Sequence, residues 1–546
     1  MYMSGRALAI VILLVASSGA LPRAWAEELA PEAGGSTADH SKFKELQKEF
    51  ASGPEVTEAC LSCHTEASTQ VMHSIHWKWE FENPSTGQLL GKRNVINSFC
   101  GNVASNEPRC TSCHVGYGWT DMNAPPPAEE ARVDCLVCHD TSGQYAKLAT
   151  GAGYPSMTTK GETVTGAAAW AVDLAKSAQS VAMPRRENCG SCHFYGGGGD
   201  NVKHGDLSSA LVHATEAVDV HMAEDGLNFS CEECHRSTKH VFAGSRYDVK
   251  AVDPEGTGKS GITRTDVATC ESCHGTAPHE RFTIAGIKLN DHANRVACQT
   301  CHIPAFARGG VATKTRWDWS SAGKMDEHGH PMHVDGYTQG NGKVLHTYLA
   351  TKGDFQYGED VTPYYAWFNG QVEYTKSDET IDPSGVVEIN RLSGSPDDGQ
   401  SRIWPFKRMD GRQAYDAGFD RLIYSNVWGP KSDTAYWTNF DWEKAIGAGM
   451  KAAGAEFSGK YGFVDTHMYW PITHMVAPAE QALECRECHA AEGRLANIAG
   501  VYMPGSNPRS LGALLGMAVF FAMAAGVTLH TLLRIIARLR KGASHD

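Results

Sequence analysis

Sixteen of the 17 cysteines in this 546-residue chain lie in one short pattern, Cys-x-x-Cys-His, which occurs eight times. Two thiols followed at once by an imidazole can attach a c-type haem, because the thiols bond to its vinyl groups and the histidine binds its iron. Zinc also binds Cys-x-x-Cys pairs, but it does not require histidine as the next residue in every copy. The pattern therefore predicts eight covalently bound haem c groups. The attaching cysteines are Cys60, Cys63, Cys110, Cys113, Cys135, Cys138, Cys189, Cys192, Cys231, Cys234, Cys270, Cys273, Cys298, Cys301, Cys485 and Cys488, and the proximal ligands are His64, His114, His139, His193, His235, His274, His302 and His489.

The second axial ligand decides what each iron can do. A second histidine makes an electron-transfer haem, whereas an open or replaceable position permits substrate chemistry. Of the 25 histidines, 17 lie outside the motifs, which is more than the seven or eight that are needed as second ligands. The predicted distal ligands are His40, His76, His204, His221, His240, His279, His292 and His474. Each of them could instead be a surface or hydrogen-bonded histidine, as we expect for His328, His330 and His333 in their polar loop.

One cysteine, Cys100, stands outside the motifs, ten residues before Cys110. It has no partner for a disulfide within this chain. It is either an inert buried thiol or a reactive thiol beside a haem, able to exchange with a sulfur substrate.

Seven of the motifs lie between residues 60 and 302. About 35 residues for each haem cannot build an apolar core around each site. The porphyrins must therefore form the core. We expect a mainly α multihaem cytochrome c fold with long irregular loops and a closely packed haem core in residues 27–302. Longer helices are predicted at 167–182 and 480–495, and Gly196 to Gly199 indicate a flexible or closely approaching loop.

Residues 303–489 are rich in tryptophan and tyrosine and carry a motif only at their end. We expect this region to wrap the haem core and bring the eighth haem to it. A separate domain is the alternative.

The two ends of the chain indicate export and anchoring. Residues 1–26 have a basic residue, a short apolar run and a small-x-small cleavage site, as a signal peptide does; a retained anchor is the alternative. After a tether at 490–510, residues 511–533 are long and apolar enough for one transmembrane helix, and the tail 534–546 is basic. A buried soluble helix is the alternative. The positive-inside rule places the tail in the cytoplasm and the body on the periplasmic side of the inner membrane.

A net charge of −13 argues against nucleic-acid binding.

Several stretches go beyond the attachment motif and resemble the octahaem tetrathionate reductase family of c-type cytochromes over residues 40 to 493. They are His40-Ser-Lys-Phe, Asn97-Ser-Phe-Cys100, Asn106-Glu-Pro-Arg-Cys110-Thr-Ser-Cys-His114-Val-Gly-Tyr-Gly-Trp119, Asn188-Cys-Gly-Ser-Cys-His-Phe-Tyr-Gly-Gly-Gly-Gly-Asp200, Lys203-His-Gly-Asp-Leu207, Ala297-Cys-Gln-Thr-Cys-His-Ile-Pro304 and Met468-Tyr-Trp-Pro471.

The resemblance implies one active-site haem on the second motif, at His114, whose iron is held by a lysine from elsewhere in the chain. Lys203 matches that position, although a surface-loop lysine is the alternative. An amine ligand must be neutral, so its pKa must be lowered. Cys100 matches the position of a thiol near that haem. The transmembrane segment departs from the family, whose members are commonly soluble, and all eight motifs end in histidine rather than lysine.

The family reduces tetrathionate, nitrite or hydroxylamine, so the resemblance implies a reductase that takes a small inorganic anion or hydroxylamine. The anchor suggests a membrane quinol oxidase or another cytochrome as electron donor, and a homo-oligomer is left open. The alternatives are a non-catalytic electron conduit of a respiratory chain and an enzyme that oxidises hydroxylamine.

Overall fold

The computed structural model describes residues 37–258, 261–501 and 511–542. The predicted signal peptide lies outside the described residues, as do residues 502–510 of the predicted tether. The chain divides into two compact units, Met1–Ala482 and Leu483–Asp546, which are described separately. The division falls within the region predicted to extend from 303 to 489, so the last haem motif belongs to the second unit.

The helices of the first unit are short, and five of them contain or end in part of a haem motif. A helix suits Cys-x-x-Cys-His because residues three and four apart lie on one helical face, so both thiols and the imidazole can reach the same group. The helices are α1 (Gly53–Leu61), α2 (Ala67–His73), α3 (Ile75–Lys78), α4 (Leu136–His139), α5 (Leu174–Gln179), α6 (Arg186–His193), α7 (Glu271–His274), α8 (Ile284–His292), α9 (Cys298–His302), α10 (Tyr436–Asn439) and α11 (Trp442–Ala452).

The prediction of a mainly α fold is wrong. Helices make up 26 % of the chain and strands 19 %, and nine of the strands form one mixed sheet. The strands are β1 (Phe81–Glu82), β2 (Leu89–Leu90), β3 (Ser237–Thr238), β4 (Val241–Phe242), β5 (Thr313–Asp318), β6 (His333–Thr338), β7 (Val344–Leu349), β8 (Gly353–Gly358), β9 (Tyr364–Phe368), β10 (Val372–Tyr374), β11 (Val387–Glu388), β12 (Asn390–Leu392), β13 (Arg402–Asp416), β14 (Arg421–Leu422) and β15 (Tyr461–Pro471).

The large sheet is built around its longest strand, β13. The strand order is β11-β15-β13-β5-β8-β7-β6, and β9 and β14 also pair with β13. Strands β13 and β15 run antiparallel from the pair Phe406–Pro471 to the pair Asp416–Tyr461, whereas β5 runs parallel to β13. The aromatic-rich region therefore contains the sheet, in the same unit as the first seven motifs.

Burial explains why the sequence did not reveal this sheet. Residues 402–407 of β13 are buried at every position. A strand covered on both faces shows no alternation of apolar and polar residues, so the usual strand pattern is absent. Trp317, Trp404, Phe406 and Trp470 instead form part of one aromatic core over the sheet.

Two helix predictions were too long. The helix expected at 167–182 is confined to Leu174–Gln179, where Asp173 caps its first turn by accepting from the Lys176 amide. The helix expected at 480–495 is reduced to a 3₁₀ turn, Ala479–Gln481, and the single turn Cys485–Cys488.

The second unit contains that turn, α12 (Cys485–Cys488), and a long helix, α13 (Leu511–Gly542). Within the described ranges, one stretch, Leu511–Arg540, is long and apolar enough to cross a membrane, with a mean hydropathy of 2.0 and none of its most apolar window buried by protein. This helix could anchor the protein in a membrane.

We expect Phe406→Ala to destabilise the sheet core strongly. Phe406 is fully buried and packs edge-on against Phe368, so truncation leaves a cavity costing about 3–5 kcal/mol. Arg412→Ala on the same strand removes a surface ion pair to Asp465 and should cost no more than about 1 kcal/mol. Urea denaturation followed by circular dichroism compares the two, and equal midpoints would contradict this account of the core.

Candidate haem sites

In the described part of the first unit, six of the seven motif histidines lie opposite a second histidine from elsewhere in the chain. A metal–imidazole bond is about 2 Å long and a ring centroid lies about 1 Å behind its nitrogen, so two imidazoles on one metal have centroids about 6 Å apart. The observed distances between ring centroids match this value: His40–His64 6.4 Å, His76–His193 6.0 Å, His139–His240 6.5 Å, His221–His274 6.0 Å, His235–His474 6.1 Å and His279–His302 6.2 Å. The residues present therefore fit an iron held between each pair.

Burial keeps several of these rings in the form that binds metal. Desolvation is the first cause that lowers the pKa of His193, to about 3, and it also lowers the pKa of His76 and His235. A metal binds the neutral imidazole, so these surroundings favour ligation over protonation.

The other ring nitrogen of several histidines is held by a hydrogen bond. The Nδ1 atoms of His139 and His235 each lie 2.9 Å from a backbone carbonyl oxygen, of Ala182 and Ala243. The Nδ1 atom of His474 lies 3.1 Å from a carboxylate oxygen of Asp206. Such bonds orient a ring and leave Nε2 for a metal.

The second motif has different surroundings. His114 is fully buried, and three tryptophan rings surround it, with centroids 4.9 Å (Trp77), 5.5 Å (Trp79) and 4.8 Å (Trp119) from its own. Among the described residues, no second histidine ring lies opposite it. Nε2 of His114 lies 2.7 Å from the Trp77 carbonyl oxygen, while Nδ1 is buried without a partner, which is the reverse of the arrangement at His139 and His235. A metal bond would satisfy this orphaned nitrogen.

Lys203 lies close to this motif. Burial, with smaller contributions from Arg246 and Lys92, holds the pKa of Lys203 well below its usual value, while Cys113 of the second motif acts in the opposite direction. The environment therefore favours the neutral amine that metal ligation requires. Ligation of the iron by Lys203 stays a prediction.

The glycine loop before Lys203 packs closely against Lys203 and Phe99. Gly197 has a φ of +91°, and a Cβ there would lie 3.2 Å from the Cβ of Lys203 and 3.3 Å from the Phe99 ring. Behind the loop, the buried ammonium of Lys407 donates to the carbonyls of Val202 and Lys203 at 2.8 and 3.1 Å. Lys407 on β13 thus fixes the backbone that carries Lys203.

Cys100 lies on the Cys110 side of the second motif, where the two thiols interact electrostatically. Its amide donates to the Asn97 side chain at 2.8 Å, and burial raises the pKa of its thiol. A reactive cysteine usually has a lowered pKa, so the protonated thiol is favoured here.

Two family models match parts of the chain. One is described as bacterial cytochrome c and matches residues 314–492, and the other is described as cytochrome c554 and c-prime and matches residues 230–303. An uncharacterized protein of Archaeoglobus fulgidus is 25 % identical over 261 residues, covering 40 % of this chain and 84 % of that protein.

The crystal structure of an octaheme cytochrome c from Shewanella oneidensis is 40 % identical in sequence. The similarity covers 85 % of this chain and 95 % of that one, with a TM-score of 0.69. This chain belongs to the multihaem c-type cytochromes. The family binds haem c covalently and transfers electrons, in agreement with the motifs.

Contacts between cysteines show which motifs of this cytochrome are neighbours. Thiols from different motifs interact directly in four pairs: Cys60–Cys135, Cys113–Cys192, Cys189–Cys231 and Cys270–Cys298. Weaker electrostatic interactions join Cys138 with Cys189 and Cys234 with Cys273. The fourth motif therefore adjoins the second, third and fifth, which makes it a branch point.

The remaining predicted ligands of the cytochrome are His204, His292 and His489. His204 is enclosed near Lys203 and His474, and within the described ranges no motif histidine lies opposite its ring. The Nδ1 atom of His292, at the end of α8, lies 2.8 Å from the Lys288 carbonyl oxygen. His489 belongs to the second unit. His328 and His330 are exposed, as expected for solvated residues.

Sequence reasoning missed the tryptophans around His114 and the carboxylate on His474. Trp77 directly follows a predicted ligand, His76, and this neighbour was the available signal. Asp206 gave no such signal, because it is far from Thr473 and His474 in the sequence and contacts them only in the folded chain.

We expect Asp206→Asn to raise the midpoint potential of one haem, the one attached at His235. Burial lowers the pKa of His474, but the hydrogen bond and charge of Asp206, together with the charges of Asp219 and Cys231, raise it on balance. The carboxylate thus strengthens the donor character of His474 and stabilises oxidised iron. Losing the charge of Asp206 removes about 1 kcal/mol of stabilisation from the oxidised haem, which raises its midpoint potential by about 40 mV for one electron.

A spectroelectrochemical titration measures this shift, with the exposed Asp225→Asn as the matched control. Unchanged potentials in both variants would leave Asp206 with a structural role alone.

Proposed function

We propose that this cytochrome is a membrane-anchored octahaem reductase that passes electrons through bis-histidine haems to one active-site haem, at the second motif. Its substrates are small oxidised species such as tetrathionate, nitrite or hydroxylamine. The observation that supports this most is a contrast. Six motif histidines have a second histidine about 6 Å away, whereas His114 has three tryptophans around it and a buried lysine near its motif.

The residues at the second motif have separate roles in this proposal. His114 and Lys203 would both hold the iron of a haem attached at the second motif, with Lys203 as the replaceable ligand. When bound, the haem supplies an iron that exchanges electrons with that substrate. Trp77, Trp79 and Trp119 exclude water from the His114 side, and Lys407 holds the Lys203 backbone.

The order of the motifs supports delivery of electrons to this site. Cys113 of the second motif interacts with Cys192 of the fourth, and the fourth also adjoins the third and fifth. Electrons from two directions would therefore reach the second motif through the fourth. Such convergence suits reactions that need two or more electrons.

Anchoring and export complete the proposal. We infer that α13 spans the inner membrane with its basic end in the cytoplasm, so the haem-bearing body is periplasmic. A membrane quinol oxidase or another anchored cytochrome would then supply the electrons.

A second candidate is a non-catalytic electron conduit. The six histidine pairs favour it, because doubly ligated haems transfer electrons without binding substrate. Turnover of tetrathionate, nitrite and hydroxylamine with a reduced dye separates the two, since a conduit reduces none of them.

We expect Lys203→Ala to alter the spectrum of one haem only and to lower turnover by about tenfold or more, because a ligand of one iron is lost. Lys42→Ala, at an exposed lysine, should change neither. Electron paramagnetic resonance and dye-linked turnover give the two readings. Wild-type spectra and rates in Lys203→Ala would remove this residue from the mechanism.

A further inference from the structure

A buried ion pair joins the second and third motifs. The ammonium of Lys147 lies 3.1 Å from a carboxylate oxygen of Asp134, and the two side chains are 2 % and 0 % exposed. Lys147 also donates a hydrogen bond to the backbone carbonyl of His114, the histidine of the second motif. Asp134 directly precedes Cys135, the first cysteine of the third motif. The positive end of the pair therefore contacts the second motif, and the negative end adjoins the third.

The carboxylate of Asp134 has a full set of donors. The hydroxyl groups of Tyr117 and Tyr145 donate to it at 2.9 and 2.8 Å. The Val137 amide donates at 3.1 Å, and Lys147 is the fourth donor. Burial raises the pKa of both tyrosines well above its ordinary value, and the charge of Asp134 adds to this effect, so both hydroxyls stay protonated. These donors hold the negative charge in one place.

The backbone fixes both ends of the pair. The segment that precedes the third motif runs beside the segment that follows the second, where the Asp134 amide donates to the Val115 carbonyl at 2.9 Å. Lys147 forms an antiparallel bridge with Pro155, and its carbonyl accepts from the Val164 amide at 3.0 Å. The fold thus determines which end of the pair faces which motif.

Stability alone does not explain why this pair is buried. Taking two charges out of water is costly, and apolar side chains of similar volume would stabilise the fold about as well. A buried charge is screened less than one in water, so it acts strongly on redox centres near it. Lys147 acts electrostatically on one thiol each of the second, third and fourth motifs, namely Cys113, Cys138 and Cys192. The pair therefore lies where three haem sites meet.

We propose that the Lys147–Asp134 pair is a fixed dipole that raises the midpoint potential of the haem attached at the second motif relative to that of the haem attached at the third. A nearby cation stabilises reduced iron, and a nearby anion stabilises oxidised iron. Lys147 is thus a positioning residue that acts through the haem.

The dipole favours one direction of electron transfer. One electron leaves the iron at the third motif, which is oxidised, and arrives through the fourth at the iron of the second, which is reduced. The ion pair itself is neither oxidised nor reduced, and it gains and loses no proton. The use of this gradient in catalysis rests on the proposed function, whereas the effect on the two potentials does not.

Redox titrations of the full-length cytochrome, followed by electron paramagnetic resonance, test the dipole in three variants. Lys147→Met removes the positive end, so the ratio of reduced to oxidised second haem at a fixed potential should fall about tenfold, or about 59 mV for one electron. Asp134→Asn removes the negative end and should raise the same midpoint potential. The double variant should lie between Lys147→Met and the wild type, because the positive end is the one that contacts the second motif.

Two further variants separate charge from packing. Tyr145→Phe removes a hydrogen bond from the same carboxylate without removing a charge, and should shift the potential much less than Asp134→Asn. Lys176→Met, at an exposed lysine on α5, should leave every potential unchanged. Wild-type haem content and absorption verify folding of each variant. The double variant leaves no charge of the pair buried alone, so it remains comparable with the wild type if a single variant does not fold.

The direction of the shifts decides the proposal. Opposite shifts in Lys147→Met and Asp134→Asn, largest at the haem whose signal Lys203→Ala alters, support it. Shifts in one direction, or shifts no larger than in Tyr145→Phe, overturn it and leave the pair with a structural role. If Lys203→Ala alters a different haem, the dipole does not act on the proposed active site, which also counts against it. If the shifts are opposite but no substrate turns over, the proposed reductase function fails while the dipole stands.

Discussion

The structure depends on the distance at which one metal ion can join two imidazole rings. That distance of about 6 Å between ring centroids is met six times by histidines that are far apart in sequence. His235 and His474 are the clearest case, since one lies in the motif-rich half and the other follows the last long strand. Each such pair acts as a cross-link, so metal binding contributes directly to folding free energy. A chain with few residues for each haem can fold because its cofactors tie it together.

The sheet supplies the rigidity that those cross-links alone do not give. Strand β13 carries Lys407, which holds the backbone of Lys203, and the parallel strand β5 carries Lys314. Strand β15 leads directly into the segment that contains His474. Side chains on strands are held more accurately than side chains on loops. The irregular motif region thus obtains a defined second-motif site from a neighbouring regular element.

The sequence predicts the attachment chemistry well and the supporting architecture poorly, for one physical reason. Cys-x-x-Cys-His is local, since all three reacting side chains lie within one helical turn. The six distal histidines that face motif histidines were identified as candidates, but their partners were not, because pairing depends on contacts between distant segments. Strand β13 was missed since burial on both faces removes its alternation. Lys314 looks ordinary in the sequence, and only the fold reveals that it is buried.

The charges near the haem motifs bear on the direction of electron transfer. A carboxylate on a histidine ligand stabilises oxidised iron, and Asp206 occupies that position at the fifth motif. A cation beside a haem stabilises its reduced state, and Arg109 directly precedes Cys110 of the second motif. The fourth motif lies between them and adjoins both. Under the proposed function, these charges would draw electrons from the fifth motif towards the second and would favour reduction of a substrate there over its oxidation.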